Sequence, residues 1–306
     1  MLALKILIID PIHHLAIERL SARFEVHYEP KITRTELLDK VMAYSAIVVR
    51  SGHKIDFELI ERAKKLRLVA RAGMGIDNIS TQALDRKDIK WFNIPDISAE
   101  AVSELSIAFI FALSRNLIQS NNLLKSNIWK KEGNYGFQIY GKTLGVIGFG
   151  NIGKKVATKA IALGMKVMAS VNTVTQEKTE AAKKLGALIV SSEKIFHEAD
   201  YVLIAVPLSP ETEGIVNKNV INKMKPSAFL INVSRGAVVN EDDLYIALKN
   251  NVIKGAATDV LTNEKKKSPL FELDNMICTP HIGAMTVEAQ ESIANFLVDK
   301  IQAILV

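Results

Sequence analysis

The stretch TLGVIGFGNIGKKVATKAIALGMKVMASV, residues 143–171, decides the fold of this chain. An apolar run enters Gly148, Gly150 and Gly153, which have the spacing G-x-G-x-x-G, and apolar residues then recur at helical intervals. This pattern predicts a strand, a tight turn and a helix. A second apolar strand over 165–169 closes one βαβ unit.

The three glycines predict a dinucleotide site at the turn. Gly148 can take a turn conformation that a Cβ resists, Gly150 lets a pyrophosphate approach the backbone, and Gly153 lets the helix pack close to the strand. The helix amino terminus then offers free N–H groups to the phosphates. The spacing alone is a weak signal, and its position between a strand and a helix is what makes it specific.

One element of such a site is missing from the sequence. An acidic residue that binds the adenosine ribose is expected about 20 residues after the glycines, and the chain has Val171, Asn172 and Thr173 there. No arginine takes its place to receive a 2′-phosphate. The sequence therefore predicts a dinucleotide site and leaves the choice between NAD and NADP open; NAD is the expected coenzyme, and NADP is not excluded.

The composition is that of an ordinary globular protein with room for two domains: 306 residues, 48% hydrophobic and 24% charged, with a formal charge of +6 spread along the chain. The single cysteine, Cys278, excludes an intramolecular disulfide framework. The longest apolar segment, 105–113, is far shorter than a membrane span. We therefore expect a cytoplasmic protein with a small anionic substrate, without metal, nucleic-acid or membrane partners.

Strand and helix patterns alternate along the chain, which indicates two doubly wound parallel sheets of the α/β class. About five strands precede Pro95, and the alternation resumes with the glycine stretch. The last amphipathic helix returns to the first domain. The expected domains are therefore a substrate domain, 1–96 plus 286–306, and a dinucleotide-binding domain, 97–285.

Between the domains, a predicted helix over 99–126 is apolar around most of its circumference. Such a helix must be covered, either by the chain's own domains or by a second subunit.

Polar side chains follow the predicted strands, at the carboxyl ends where ligands bind in open parallel sheets. In the second half these are Arg235, Asp259, Glu264 and His281; the first half offers the runs VVRSG (48–52) and RAGMG (71–75). Taken singly, each also fits a structural role such as a salt-bridging turn arginine, a loop carboxylate or a surface histidine.

Together the motifs identify a family. The segments VIGFGNIG, VPLSPETEGIVN (206–217), LINVSRGAVVNEDDL (230–244) and HIGAMTVEAQ (281–290) resemble the D-isomer-specific 2-hydroxyacid dehydrogenases from the first strand to the last helix. RSG at 50–52 and RAGMGIDNI at 71–79 look most like the D-3-phosphoglycerate dehydrogenases. The resemblance implies a flavodoxin-like substrate domain, a Rossmann domain and a homodimer paired through the helix near 99–126.

The resemblance also implies a catalytic trio. His281 would exchange the hydroxyl proton while a hydride moves between C2 and the nicotinamide. Glu264 would bond the far ring nitrogen and favour imidazolium, and Arg235 would fork onto the substrate carboxylate and C2 oxygen.

Further roles carry over in the same way. Arg50, with Ser51, would bind a phosphate on C3, and the backbone at Gly73, Met74 and Gly75 would hold the carboxylate. The implied coenzyme contacts are Gly148, Gly150, Asn151, Ile152, Gly153, Val171, Asn172, Pro207, Thr212, Val233, Ser234, Arg235, Asp259, His281 and Gly283.

Three departures from the family pattern stand out. Val171 replaces the ribose-binding acid, and KKKSP follows Glu264 where an acidic-proline ending is common. The cationic run would lower the basicity of Glu264, and its alternative role is that of a solvated loop. His53 stands where phosphoglycerate relatives frequently have threonine, so it is either a loop residue or a contact to the phosphate.

The expected reaction converts 3-phosphoglycerate to 3-phosphohydroxypyruvate, a step of serine biosynthesis. A glyoxylate or hydroxypyruvate reductase is the alternative, because the same trio serves unphosphorylated acids. A dinucleotide-gated binding scaffold is a more distant one. A formate dehydrogenase is disfavoured, since that relative pairs its histidine with glutamine. Because the sequence ends just after the returning helix, we expect no serine-sensing regulatory domain.

Overall fold

A computed structural model describes residues 4–264 and 266–306, so the first of the three lysines that follow Glu264 lies outside the described residues. The chain divides into two compact units. The first comprises Met1–Ser98 and Met285–Val306, and the second comprises Ala99–Ala284.

The first unit is built on a parallel five-stranded sheet in the order β2-β1-β3-β4-β5, the flavodoxin-like order. Its strands are β1 (Lys5–Ile8), β2 (Glu25–Tyr28), β3 (Ala46–Val49), β4 (Leu68–Arg71) and β5 (Lys90–Asn93). The central strands β3 and β4 are completely buried, as expected of parallel strands covered on both faces.

Helices cover both faces of this sheet over two apolar cores. They are α1 (His14–Ser21), α2 (Arg34–Lys40), α3 (Phe57–Arg62) and α4 (Thr81–Arg86), with 3₁₀ turns at Val41–Ala43 and Asp96–Ser98. A capping box, the S/T-x-x-E pattern of Thr33 and Glu36, starts α2. The last helix of the chain, Val287–Leu305, returns to this unit and buries Leu297, Val298 and Ile301 against it.

The second unit is built on a parallel seven-stranded sheet in the order β12-β11-β10-β9-β6-β7-β8. Its strands are β6 (Thr143–Ile147), β7 (Lys166–Ser170), β8 (Ala187–Ile189), β9 (Tyr201–Ile204), β10 (Phe229–Asn232), β11 (Gly255–Thr258) and β12 (Met276–Cys278). Six of these strands follow the Rossmann order, with the switch point between β6 and β9. The predicted α/β class with two doubly wound sheets is therefore confirmed.

The helices of the second unit lie on both faces of the sheet and enclose two further cores. They are α5 (Ala99–Ser114), α6 (Leu117–Lys125), α7 (Asn151–Ala162), α8 (Gln176–Leu185), α9 (Ser192–Glu198), α10 (Lys218–Ile221) and α11 (Glu241–Lys249). Two 3₁₀ turns, Gly236–Val238 and Pro269–Glu272, complete the unit, and the returning helix Val287–Leu305 is α12.

The single helix expected over 99–126 is wrong in one respect, because the chain breaks into α5 and α6 at Asn116. This residue has a left-handed backbone with φ of 49°, and its side-chain amide donates to Asn134 Oδ1 at 3.1 Å. Asparagine tolerates this conformation better than most residues and ends the first helix there.

The apolar character of α5 has a structural explanation. Its inner residues are buried, and it packs against α7, β10 and β11. The expectation that no segment approaches membrane-span length also needs correction. The stretch Asp96–Ser114 is long and apolar enough to cross a bilayer by length and composition, with half of its most apolar window buried inside the structure. A helix buried in the core of a protein can meet the same criterion of length and composition.

Candidate active site

The turn from β6 into α7 has the geometry that its glycines predict. Gly148 has φ of +100°, and a Cβ there would lie 2.5 Å from the Ala205 carbonyl oxygen. A Cβ on Gly153 would lie 2.2 Å from the Gly148 carbonyl oxygen and 3.0 Å from a methyl of Val146. The first glycine therefore permits the turn, and the last permits α7 to pack directly on β6.

Gly150 differs from its two neighbours, because a Cβ at this position would meet no atom within 4 Å. Its φ of −81° is also accessible to other residues, and it is the N-cap of α7. The first N–H groups of α7, including those of Asn151 and Ile152, have no acceptor within the helix. Open space therefore adjoins the positive end of a 12-residue helix, where an anionic pyrophosphate fits.

The end of β7 lies beside this turn, since the Gly148 N–H donates to the Ser170 carbonyl at 3.2 Å. Val171 packs partly buried against the apolar core, while Asn172 and Thr173 are exposed. Sequence reasoning missed Lys178, whose Nζ donates to the Thr173 carbonyl at 3.1 Å. The sequence did offer a signal, because Lys178 lies in the first turn of the helix that begins after this loop.

The loop after β9 is held in its conformation by the hydroxyl group of Thr212. Thr212 Oγ1 donates to the Pro207 carbonyl at 2.6 Å and accepts from the Ser209 N–H at 2.8 Å. Thr212 thereby fixes the conformation of the loop, and Pro207 is left exposed on its surface.

The segment after β10 carries Arg235. Val233 and Ser234 are buried, and the N–H and hydroxyl of Ser234 both donate to Asn232 Oδ1, at 3.0 and 2.9 Å. The Asn232 amide donates in turn to the Arg235 carbonyl at 3.0 Å. Arg235 is half-buried, and its Nη1 donates to the Ser234 carbonyl at 2.7 Å.

His281 and Glu264 form a direct pair, with 2.6 Å between Nδ1 and Oε1. Both side chains are 39% exposed, so the pair remains accessible to solvent and to a ligand. When Nδ1 donates to the carboxylate, the neutral ring has its lone pair on Nε2. This arrangement can accept a proton at Nε2 and stabilise the resulting imidazolium.

His281 has an unusual backbone, with φ of +55°. Such a conformation is uncommon in residues other than glycine and costs on the order of 1 kcal/mol. The His281 N–H donates to the Asp259 carbonyl at 2.9 Å, and the next two N–H groups, of Ile282 and Gly283, donate to the Asp259 carboxylate at 2.8 and 2.7 Å.

Asp259 is therefore the residue that holds the His281 loop. It is 3% exposed, and it accepts a further hydrogen bond from the Thr279 hydroxyl at 2.6 Å. These contacts place the carboxylate against its own loop. A contact to a nicotinamide amide stays a prediction.

The sheet topology brings the trio to one edge. β10, β11 and β12 are adjacent and parallel, so Arg235, Glu264 and His281 all follow carboxyl ends at the same side. The Asp259 N–H donates to the Asn232 carbonyl at 3.0 Å, which joins two of these ends directly.

The first unit contains the residues expected to bind substrate. Arg50, after β3, is partly buried, and this burial lowers the pKa of its guanidinium, while nearby Asp10 opposes the change. Ser51 is exposed. Gly73 lies against buried Arg71, Met74 is 42% exposed, and the Met74 carbonyl accepts from the Asn93 amide.

His53 does not present a ring nitrogen to a phosphate, contrary to one of the two expectations for it. Its Nδ1 lies 2.8 Å from Asp10 Oδ1, and its Nε2 lies 3.0 Å from the Ile32 carbonyl oxygen. The sequence could not show this, because Asp10 is 43 residues away along the chain.

Cys278 lines a cavity of about 760 Å³ that Glu264 also borders. Burial, with a smaller contribution from Glu241, raises the pKa of its thiol to about 11. The thiol is therefore protonated at neutral pH and serves as a small, weakly polar side chain rather than a nucleophile.

Comparison with known proteins agrees with this geometry. The family model described as "D-isomer specific 2-hydroxyacid dehydrogenase, NAD binding domain" matches residues 107–283. The chain is 39% identical over 303 residues to D-3-phosphoglycerate dehydrogenase of Methanocaldococcus jannaschii, covering 98% of this chain and 57% of that protein. It is 36% identical over 304 residues to glyoxylate reductase of Pyrococcus furiosus, covering 96% of this chain and 90% of the relative.

A solved structure is also similar. D-Lactate dehydrogenase from Aquifex aeolicus, complexed with NAD and lactic acid, superposes with a TM-score of 0.87 at 27% identity, covering 98% of this chain and 94% of the other. The length of the family match, the two sheets and the glycine turn agree with one another. The chain belongs to the D-isomer-specific 2-hydroxyacid dehydrogenase family and carries its NAD-binding domain.

Proposed function

We propose that this chain transfers a hydride between a nicotinamide coenzyme and C2 of a D-2-hydroxy acid. The observation that carries the proposal is the 2.6 Å pair of His281 Nδ1 and Glu264 Oε1, which lies at the sheet edge that also carries Arg235. An imidazole held at one nitrogen by a carboxylate is suited to moving a proton at the other.

The acid–base step assigns a separate task to each member of the pair. In oxidation, His281 Nε2 takes the proton of the C2 hydroxyl, and Glu264 stabilises the imidazolium through Nδ1–H. In reduction, Nε2 returns that proton to the carbonyl oxygen as the hydride arrives at C2. Both directions use the same two hydrogen-bonding positions, so the pair serves as acid or base.

Arg235 would bind the substrate carboxylate and the C2 oxygen. Its planar guanidinium can make two parallel hydrogen bonds, and its positive charge stabilises the negative charge that develops on the oxygen. The bonds of Asn232 to Ser234 and to the Arg235 carbonyl fix the backbone from which this side chain extends.

The residues of the second unit suit the coenzyme, which when bound accepts or donates the hydride. Gly150, Asn151 and Ile152 offer open space and N–H groups to the pyrophosphate. Loops after β9 and β10 would line the remainder through Pro207, Thr212, Val233 and Ser234. Asp259 would keep His281 in place by holding its loop.

The substrate we favour is 3-phospho-D-glycerate, oxidised to 3-phosphohydroxypyruvate as in serine biosynthesis. The similarity to the Methanocaldococcus relative supports this choice, and so does Arg50, a partly buried arginine beside exposed Ser51. Because the chain spans only 57% of the length of that relative, its substrate is a separate question. The similarity to the Pyrococcus relative supports a second candidate, glyoxylate or hydroxypyruvate reduction.

The two candidates separate in one assay. Initial rates with phosphohydroxypyruvate, hydroxypyruvate and glyoxylate should be measured against NADH and NADPH. We expect phosphohydroxypyruvate to have the highest kcat/KM and Arg50→Ala to lower that value alone, by roughly 10–100-fold, as for loss of a charged hydrogen bond. The control is Arg67→Ala, an exposed arginine just before β4. Equal losses for all three acids would rule out the phosphate role of Arg50.

The third candidate, a binding scaffold without turnover, separates in a different measurement. His281→Ala should abolish turnover in a protein that still binds NAD+. Wild-type protein that binds NAD+ but turns over no keto acid would instead favour the scaffold.

We also propose a homodimer formed through α5 and α6. The support is that Leu117, Ile118 and Leu124 of α6 are each at least half exposed, at 50, 50 and 54%. Adjacent exposed aliphatic side chains of this kind are typical of protein interfaces.

A further inference from the structure

The loop after β3 is fastened to a buried carboxylate. Asp10 is 3% exposed, and its carboxylate accepts the N–H groups of Arg50 at 2.6 Å and Gly52 at 3.2 Å. The same carboxylate contacts His53 Nδ1 at 2.8 Å. Three positions of a loop expected to bind substrate, 50, 52 and 53, therefore depend on one anion that has almost no contact with water.

A buried carboxylate is costly unless a cation compensates it, and His53 is placed to do so. Its side chain is 18% exposed, and its Nε2 lies 3.0 Å from the Ile32 carbonyl oxygen. Both ring nitrogens thus face acceptors. The two hydrogen bonds form together only when both nitrogens carry hydrogen, which is the imidazolium form.

Arg50 lies close to Asp10, but its guanidinium contacts other groups. Its Nη1 donates to the Pro11 carbonyl at 3.3 Å, and the guanidinium also contacts the Met285 sulfur at 3.7 and 3.8 Å. Among the described residues, no carboxylate forms an ion pair with Arg50. A carbonyl and a thioether leave most of its charge for a ligand.

The loop is held from its other side as well. The Asn78 amide donates to the carbonyl of Arg50 at 2.8 Å and to that of His53 at 2.5 Å. The loop conformation is therefore defined on both sides, and the Asp10–His53 pair is its only ionic component among the described residues.

We propose that His53 is a positioning residue that compensates Asp10, so that the Arg50 guanidinium remains available to an anionic group of the substrate. The choice of ligand rests on the function proposed above. His53 is thus the partner of Asp10, and Arg50 is left to bind the ligand.

The arrangement predicts in which direction KM for an anionic substrate changes with pH. The charged groups around His53 are Asp10, Arg50 and Lys54, with Arg34 on the Lys54 carbonyl at 3.2 Å and paired to Asp56. A His53 ring that carries hydrogen on only one nitrogen loses one of its two donors and its compensation of Asp10. Arg50 is then drawn toward the carboxylate, so KM for an anionic substrate rises.

The test compares His53→Gln with His27→Gln, a matched control in the same unit whose ring contacts Tyr44 and Glu25. KM and kcat for phosphohydroxypyruvate are measured from pH 5.5 to 9. We expect wild type and the control to show a KM that rises with pH. His53→Gln should show a KM raised about 10-fold at low pH, no further dependence on pH in KM, and a kcat within about twofold.

A second measurement does not depend on turnover or on the variant's stability. Nitrogen-15 NMR of the wild-type protein should show hydrogen on both ring nitrogens of His53 under the conditions in which KM is low. The inference is overturned if His53→Gln keeps the wild-type KM and its pH profile, or if His53 has a single ring N–H across the range. Absence of turnover with every keto acid would refute the proposed function and leave the NMR result as the test of the Asp10–His53 pair.

Discussion

The glycines of the β6–α7 turn allow stability and coenzyme binding to be separated by two substitutions three residues apart. In Gly153→Ala the new methyl would lie 2.2 Å from the Gly148 carbonyl oxygen. This oxygen belongs to the backbone of the turn and cannot rotate away, so α7 must shift from β6. In Gly150→Ala the methyl would meet no protein atom within 4 Å.

The expected magnitudes differ accordingly. Overpacking of a well-packed site costs about 1–3 kcal/mol, and in domains of about 150–250 residues each kcal/mol corresponds to roughly 2–4 °C in Tm. Gly153→Ala should therefore lower Tm by several degrees. Gly150→Ala should leave Tm unchanged or raise it slightly, because alanine restricts the unfolded chain by about 0.4–1 kcal/mol.

For coenzyme affinity the order should be the opposite, with Gly150→Ala the more damaging of the two substitutions. If the pyrophosphate lies against Gly150, the methyl occupies its place, and we expect the NAD+ Kd to rise at least 10-fold, about 1.4 kcal/mol. Thermal unfolding without ligand and calorimetric titration with NAD+ measure the two effects. Unchanged NAD+ affinity in Gly150→Ala would refute the placement of the pyrophosphate, and an unchanged Tm in Gly153→Ala would refute the packing argument.

Three other predictions concern separate parts of the chain. Val171→Asp should raise the ratio of the NADP+ Kd to the NAD+ Kd at least 10-fold, because a carboxylate at this strand end binds the ribose hydroxyl and repels a 2′-phosphate. Lys178→Ala should weaken the binding of NADP+ and leave the binding of NAD+ unchanged. Titration calorimetry measures both sets of affinities. Hydrogen bonds from two lysines of α7 lower the pKa of Glu100 to about 2, so its stabilisation is present above pH 4.5 and is lost as the pH falls toward 2. Glu100→Gln should therefore lower the unfolding free energy by about 0.5–1 kcal/mol at pH 7, since the pair is exposed, and denaturant titrations should show this difference vanishing in acid. Sedimentation should find a dimer for the wild type and a monomer for Leu117→Glu combined with Leu124→Glu; a wild-type monomer at micromolar concentration would contradict the proposed interface.

The sequence was sufficient to predict features set by local chemistry. The apolar strands of both sheets, the glycine turn and the capping box at Thr33 each depend on residues a few positions apart. The alternation of strands and helices then restricts the topology to parallel doubly wound sheets. The spacing of His281 and Glu264 became interpretable only through the resemblance to a family.

Features that depend on distant contacts were not predictable. The break at Asn116 requires a left-handed residue that the surrounding apolar periodicity does not reveal. The short edge strand β8 has three residues, too few for a pattern of two-residue period. His53 meets Asp10 only because β1 and β3 are neighbours in the sheet, and sequence spacing gives no sign of that pairing.

The returning helix α12 has a consequence for how this polypeptide matures on the ribosome. Residues 99–284 emerge as one uninterrupted block and can condense before α12 is made. The flavodoxin-like half must wait, because Leu297, Val298 and Ile301 complete its core and are made only after the whole of 99–284. Until they arrive, its sheet exposes an apolar face, so a nascent chain stalled before α12 should be the form that chaperones recognise.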